Sequence, residues 1–307
     1  MNIRREDFKS IELKDKDIIE KFLAGEKKLN SDACFANLYM WQKMINLRYI
    51  ILGDALIIAA GKEDACFLTP PYLSKKDLDL SPYMSAINEC MLRVNGFICI
   101  RAVNERVKEK IKKDFSDVYD IVEDRNNFEY VYDVNKLITL PGKKYHSKKN
   151  HVNRFIKEYD YEYDAYSDIY FEECMQMQES WSKEKDFSDK YSYFESDAIE
   201  RALKHYKELG LSGCVIKIGG KIKAFSFGTA LNEDTALILV EKADYRYQGI
   251  YQIINRDFLR HNFYNYKFVN RQEDMGDEGL RQAKMSYHPV SFAKKYTVRS
   301  KGCGKCP

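Results

Sequence analysis

The sequence predicts an α/β chain of the mixed α+β kind, built as two similar domains in tandem. Three observations carry this. Short apolar runs of strand character alternate with helical stretches along all 307 residues. The order helix, helix, hairpin, strand, helix, strand is met twice, with negligible identity between the halves. A chain of this length is long for one core and comfortable for two. The closely spaced hairpins make each sheet mixed and mostly antiparallel, flanked by helices. The boundary is expected near residues 131–141, giving domains 1–135 and 136–298 and a flexible tail 299–307.

In the first half, residues 15–23 and 37–44 read as helices, the latter carrying Trp41. Strands 49–52 and 55–60 follow, with Gly53-Asp54 between them as a hairpin turn. Strand 65–69 stops at Pro70-Pro71. Residues 81–94 then read as helix, 97–102 as strand, 105–115 as a basic helix, and 118–120 onward as strand. In the second half, helices 171–185 and 196–209 precede strands 213–218, 223–230 and 235–240, and Gly210 ends the second helix. Helix 251–261 and strand 266–270 complete the repeat.

Composition excludes several classes. Hydrophobic residues at 45% and charged residues at 32% describe a folded chain rather than a disordered one. A net charge of +3 gives no global basic field, so any anion recognition has to come from a local patch. No apolar run reaches the roughly 18 residues of a membrane helix, and the first residues lack the apolar core of a secretion signal. Cys66, Cys90, Cys99 and Cys214 lie in apolar segments and read as small buried hydrophobes, which fits a reducing, cytoplasmic setting. Cys303 and Cys306 form a lone pair of tail thiols with no second pair at ligand spacing, and the five histidines form no ligand motif, so no metal site is expected.

The densest chemistry lies at residues 270–284, where four acids, two arginines, a lysine and two glycines follow a buried strand. Charges placed directly after a strand sit where open α/β sheets bind ligands. Asp277 and Glu278 belong in the first turn of a helix and Arg281 and Lys284 in later turns, in the order the helix dipole favours. A second group closes strand 235–240 with Glu241 and Lys242, followed by Arg246 and Gly249 opening a helix that carries Asn255. The GNAT acyltransferases use such a strand end and glycine loop, but Tyr251 stands where their loop takes a final small residue. A third is basic: Lys143, Lys144, Lys148, Lys149, Arg154 and Lys157, with Tyr145, His146, Asn150 and His151, run without an acid until Glu158. As a helix from Ser147, this segment turns Val152, Phe155, Ile156 and Tyr159 inward, and Asn150, His151, Asn153, Arg154 and Lys157 away from the core. Interleaved cations and rings suit phosphates and bases, while a plain solvated basic face is the other reading.

Taken together, Gly142-Lys143-Lys144-Tyr145-His146, Lys148-Lys149-Asn150-His151, Ala224-Phe225, Glu241-Lys242-Ala243-Asp244, Ile254-Asn255, Asn270-Arg271, Glu273-Asp274 and Gly279-Leu280-Arg281, with Ala283-Lys284 and Ser286-Tyr287, resemble one family. It is the bacterial domain grouped with the C-terminal domain of phosphatidylglycerol lysyltransferases. Phe35, Asn37, Leu38, Tyr39, Trp41 and Pro70-Pro71 extend the likeness into the first half. The resemblance implies two tandem GNAT-like domains and, from the lipid-modifying relatives, transfer of an aminoacyl group from charged tRNA to a lipid head group.

An activated ester held in a basic cleft between the domains would then be attacked by an amine or hydroxyl. Glu241 or Asp274 would serve as general base. Arg271, Arg281 and Lys284 would steady the oxyanion or an acceptor phosphate. Lys144, His146, Lys148, Lys149, Asn150 and Arg154, with Lys242, Gly249, Asn255 and Tyr287, would bind donor or acceptor. The donor is expected to be aminoacyl-tRNA or an acyl-coenzyme A, and the acceptor an anionic lipid head group or a small amine. The alternatives are an acetyl-coenzyme A-dependent N-acetyltransferase and a non-catalytic module holding RNA or a phosphorylated ligand. Structural ion pairing is the plain alternative for Glu241–Lys242 and Asp274–Arg281.

Overall fold

A computed structural model describes residues 3–24, 30–62, 65–75, 78–184 and 190–302. It divides into two compact units. In the first, β1 (Lys9–Ser10), α1 (Lys16–Ala24) and α2 (Phe35–Trp41) lead to the hairpin strands β2 (Arg48–Leu52), β3 (Ala55–Lys62) and β4 (Ala65–Leu68). Then come β5 (Tyr72–Leu73), α3 (Ser81–Asn95), β6 (Cys99–Val103), α4 (Glu105–Asp114) and β7 (Tyr119–Glu123). Local chemistry sets the helix ends. Asn104 caps α4 by accepting from the Val107 amide at 2.9 Å, and Gly96, at φ 73°, ends α3 in the left-handed region.

The second unit starts at Glu129. It runs β8 (Glu129–Asp133), α5 (Val134–Thr139), α6 (His146–Glu158), β9 (Tyr161–Ala165), α7 (Phe171–Glu184) and α8 (Lys190–Lys204). Next are β10 (Ser212–Ile218), β11 (Lys221–Ala230), β12 (Thr235–Ala243), α9 (Ile250–Asn262), β13 (Phe268–Asn270), α10 (Glu278–Met285) and β14 (Ser291–Ala293). The last strand, β15 (Tyr296–Ser300), belongs to the first unit, as does the segment Glu273–Gly276.

The repeat read from element order is present in the topology. One sheet runs β1-β2-β3-β4-β6-β15-β7 and the other β14-β8-β13-β12-β11-β10-β9. Each holds a parallel pair joined across one helix: β4 with β6 through α3, and β12 with β13 through α9. Each also inserts a strand distant in sequence, β15 between β6 and β7, and β8 between β13 and β14. In the first unit the core joins the sheet to α3 and α4 through Ile57, Met84, Ile87, Ile100, Val107 and Val298. In the second it joins the sheet to α5, α6 and α9 through Leu137, Phe155, Ile216, Ile238, Ile253 and Phe258.

Several expectations change. Residues 131–141, where the boundary is expected, lie inside the second unit: Tyr130 and Tyr132 are buried in β8 and Asp133 caps α5 through the Lys136 amide. The chain divides after Phe128 rather than at 135. The expected tail does not start at 299, since Arg299 and Ser300 pair with Asp120 and Tyr119 of β7. Residues 303–307, with Cys303 and Cys306, lie outside the described residues. On α6, Val152 and Phe155 are buried as expected, but Ile156 is 48% exposed.

Gly228 sits at a register break between β11 and β12, and a Cβ there would stand 2.2 Å from the Leu237 carbonyl oxygen. Gly228→Ala is therefore expected to cost about 1–3 kcal/mol of stability through forced backbone shifts. Urea unfolding checks this, and an unchanged midpoint would contradict it.

Candidate functional site

The parallel strands β12 and β13 pair only over Thr235–Leu237 and Phe268–Asn270, and beyond that they part. The carbonyls of Ile238 and Leu239, just beyond the paired stretch, accept from the Gln272 side-chain amide at 2.9 and 3.0 Å. Satisfying them with a side chain keeps the strands apart without orphaned acceptors. Glu241, near the end of β12, and Arg271, directly after β13, then face each other.

Arg271 Nη2 donates to Glu241 Oε1 at 2.9 Å, and Asn255 Nδ2 from α9 donates to Oε2 at 3.2 Å. Glu241 and Arg271 are only 13% and 14% exposed. Burial works against the guanidinium charge, but Glu241, Tyr132 and Tyr287 outweigh it and hold the Arg271 pKa above its ordinary value. The Arg271 guanidinium lies 5.7 Å from the Tyr132 ring centroid and 5.0 Å from that of Tyr287.

Lys148, on α6, places its ammonium 4.4 Å from the Tyr287 ring centroid. Burial and then Arg271 push its pKa below the ordinary lysine value. The Tyr287 hydroxyl bonds to Gln252, and burial raises its pKa to about 12, so it stays protonated at neutral pH. Lys284 holds the frame, with Nζ donating to the carbonyls of Arg271 and Gln272 at 2.6 and 3.1 Å. Its own carbonyl accepts from the Tyr132 hydroxyl at 2.8 Å. The cluster gathers three cations against one carboxylate among aromatic walls. Such a site can hold an anion or stabilise charge developing on a carbonyl oxygen.

Of the residues expected from sequence, the structure thus gathers Glu241, Asn255, Arg271, Lys284, Tyr287 and Lys148. Others stand elsewhere. Lys242 points to the opposite sheet face, where its buried ammonium pairs with Glu195 of α8 at 2.8 Å. Asp274 belongs to the first unit, and its fully buried carboxylate takes Arg125 at 3.2 Å and the Gly276 amide at 2.9 Å. Arg281 lies along α10, 3.9 Å from Glu278. Arg154 pairs with Glu158 on the exposed side of α6, and His146, Lys149 and Asn150 are exposed there as well. Lys144 is exposed, and its carbonyl contacts the His288 ring at 3.1 Å.

Gly249 caps α9 at φ 98°, and a Cβ on it would meet the His151 carbonyl of α6 at 2.7 Å. Its small size lets α6 and α9 approach. Sequence reasoning missed Tyr132, Gln252 and Gln272. The alternation of Tyr130 and Tyr132 was the available signal for the first, whereas the two glutamines carry none.

The family model described as phosphatidylglycerol lysyltransferase, C-terminal, matches residues 24–299. The chain belongs to this family. A conserved protein of unknown function from Bacteroides thetaiotaomicron is 32% identical, with a TM-score of 0.88 over 96% of this chain and 99% of that one. L-PGS from Bacillus licheniformis, 18% identical, shares the fold at a TM-score of 0.64 over 94% of this chain and 92% of that one. A tandem GNAT protein from the clavulanic acid pathway, 7% identical, matches at 0.51 over 96% and 99%. The chain is thus a member of the lysyltransferase C-terminal family with a tandem GNAT-like fold. An uncharacterised protein of Mycoplasmoides gallisepticum is 33% identical over 188 residues, and the match spans 60% of this chain and 59% of that protein. Among the described residues no helix is long and apolar enough to cross a membrane, and no three His, Cys, Asp or Glu side chains group to hold a metal.

Proposed function

We propose that this family member is an acyltransferase of the aminoacyl kind, with the Glu241–Arg271–Lys148 cluster as its reaction centre. The observation that carries the reading is the buried Glu241–Arg271 pair where β12 and β13 part, with Arg271 and Lys148 both against the Tyr287 ring. An amine or hydroxyl acceptor attacks the carbonyl of an activated ester and the ester C–O bond breaks. The acceptor's proton passes to Glu241 and then to the departing oxygen. Arg271 and Lys148 donate to the carbonyl oxygen as it gains charge. Lys284 and Asn255 position these groups, and the exposed residues Lys144, His146, Lys149, Asn150 and Arg154 receive the donor's phosphates. The family description, a phosphatidylglycerol lysyltransferase domain, supports a lysyl-type transferred group and an anionic lipid head group as acceptor, and aminoacyl-tRNA is the activated donor in this reading.

Coenzyme A fits these residues less well. The close approach that Gly249 allows is used by α6, Arg246 is bound to Asp244 by two contacts of 2.7 Å, and Tyr251 packs against the core.

The test is binding to aminoacyl-tRNA, uncharged tRNA and acetyl-coenzyme A at two salt concentrations. Preference for charged over uncharged tRNA is the expected result, and binding of coenzyme A alone would replace this reading with N-acetyl transfer. Once turnover is established, Glu241→Gln is expected to lower it by about 10²–10⁴-fold with donor affinity retained. Single-turnover kinetics on the variant checks this, and unchanged turnover would remove Glu241 from the chemistry.

A further inference from the structure

A separate site is built into the sheet of the first unit. Arg101 and Arg299 lie on β6 and β15, strands flanked on both sides in the sheet, where apolar residues are the usual choice. Both line a cavity of about 170 Å³, together with Val122, Glu123, Asp124 and Thr297. The Nε atoms of both arginines are buried and have no hydrogen-bond partner. Neither guanidinium has a carboxylate partner among the described residues; the contact of Arg101 is with the Phe67 ring, 5.1 Å away. The acids nearby pair with groups other than the arginines, each through one carboxylate oxygen. Asp120 accepts from the Gly302 amide at 3.0 Å, Asp124 from Asn127 at 2.9 Å, and Glu123 lies 3.6 Å from Lys294.

The backbone is also bent at this place. Tyr296 pairs with Val103 and Val298 with Ile100, so β6 carries an extra residue against β15, and Ala102 takes φ 59°. A bulge changes where neighbouring side chains point, and a left-handed alanine carries a conformational cost. Buried guanidinium donors without acceptors are costly as well.

The geometry points to a binding site for a small phosphomonoester. The two guanidinium forks supply the doubly positive, multidentate surface that a phosphate dianion matches and a single carboxylate does not. Glu123 and Asp124 on the wall oppose a continuous polyanion and favour a ligand whose other end carries an amine or hydroxyl.

The experiment is calorimetric titration of the full chain with inorganic phosphate and with phosphoethanolamine. Saturable binding of both is expected, tighter for the amine-bearing ester. Arg101→Gln and Arg299→Gln should each weaken it about tenfold or more, while Lys207→Gln, at an exposed lysine of the second unit paired with Asp168, leaves it unchanged. The two arginine variants remove an uncompensated charge and should melt no lower than the wild type. Absence of binding to the wild type overturns the proposal, as does retention on both arginine variants. Displacement of phosphate by single-stranded RNA at equal phosphate concentration would overturn the small-ligand assignment.

Discussion

Arg271→Met should be the most damaging single substitution in the second unit, costing about 3–5 kcal/mol of stability and abolishing transfer. The reason is asymmetric. Removing the guanidinium leaves the Glu241 carboxylate, 13% exposed, with the Asn255 amide at 3.2 Å. A buried charge stripped of its partner costs far more than the pair gains by existing. Arg271 also touches the Tyr132 and Tyr287 rings, so methionine, which keeps part of that contact, isolates the electrostatic loss. The double variant Glu241→Leu with Arg271→Met is expected to recover most of the stability and none of the activity. Urea unfolding of the two single variants and the double one measures the coupling. A single-variant loss under about 1 kcal/mol would mean that water reaches the pair and screens it.

Much of this arrangement is legible in the sequence. Glu241, Arg271 and Lys284 are marked by charge after strand ends, Asn255 by the helix that follows the glycine loop, Lys148 by the basic segment of α6, and Tyr287 by the family resemblance. Their neighbours in sequence carried the same signal and went elsewhere. Lys242 follows Glu241 by one residue, and strand alternation alone sends it to the other face, against Glu195. Asp274 follows Arg271 by three residues, yet the chain has by then passed to the first unit, where Arg125 holds it. Sequence spacing does not record such a crossing. The exchanged strands β8 and β15 were hidden for the same reason. Each reads as an ordinary short segment, and its place in a sheet is fixed by partners far away: Val269 for Tyr132, and Ile100 for Val298. The paired arginines of β6 and β15 are invisible in the sequence because almost two hundred positions separate them.

Lys148→Met should raise the melting temperature at neutral pH while weakening anion binding. In the folded chain burial, and then Arg271, lower the Lys148 pKa below the 10.5 of a free lysine. Between the lowered value and 10.5 the unfolded chain binds more protons than the folded one, so this group's contribution to stability rises with pH across that window. Below the window the cost of burying the ammonium is present in full, and methionine removes it. The groups facing Lys148 are the Tyr287 ring, which attracts the ammonium, and Arg271, which repels it, with Glu241 beyond. A ring contributes about 0.5–1 kcal/mol at most sites, and the lowered pKa shows that it does not compensate for burial. The stabilisation by Lys148→Met should therefore shrink as pH rises toward 10.5. The anion affinity of the wild type should fall over the same interval, before an ordinary lysine would lose its proton. Thermal melts and anion titrations across that range test both halves. A melting temperature lowered equally at every pH would show that Lys148 is held for packing, and Arg271 would then be the cation left at the site to stabilise a developing oxyanion.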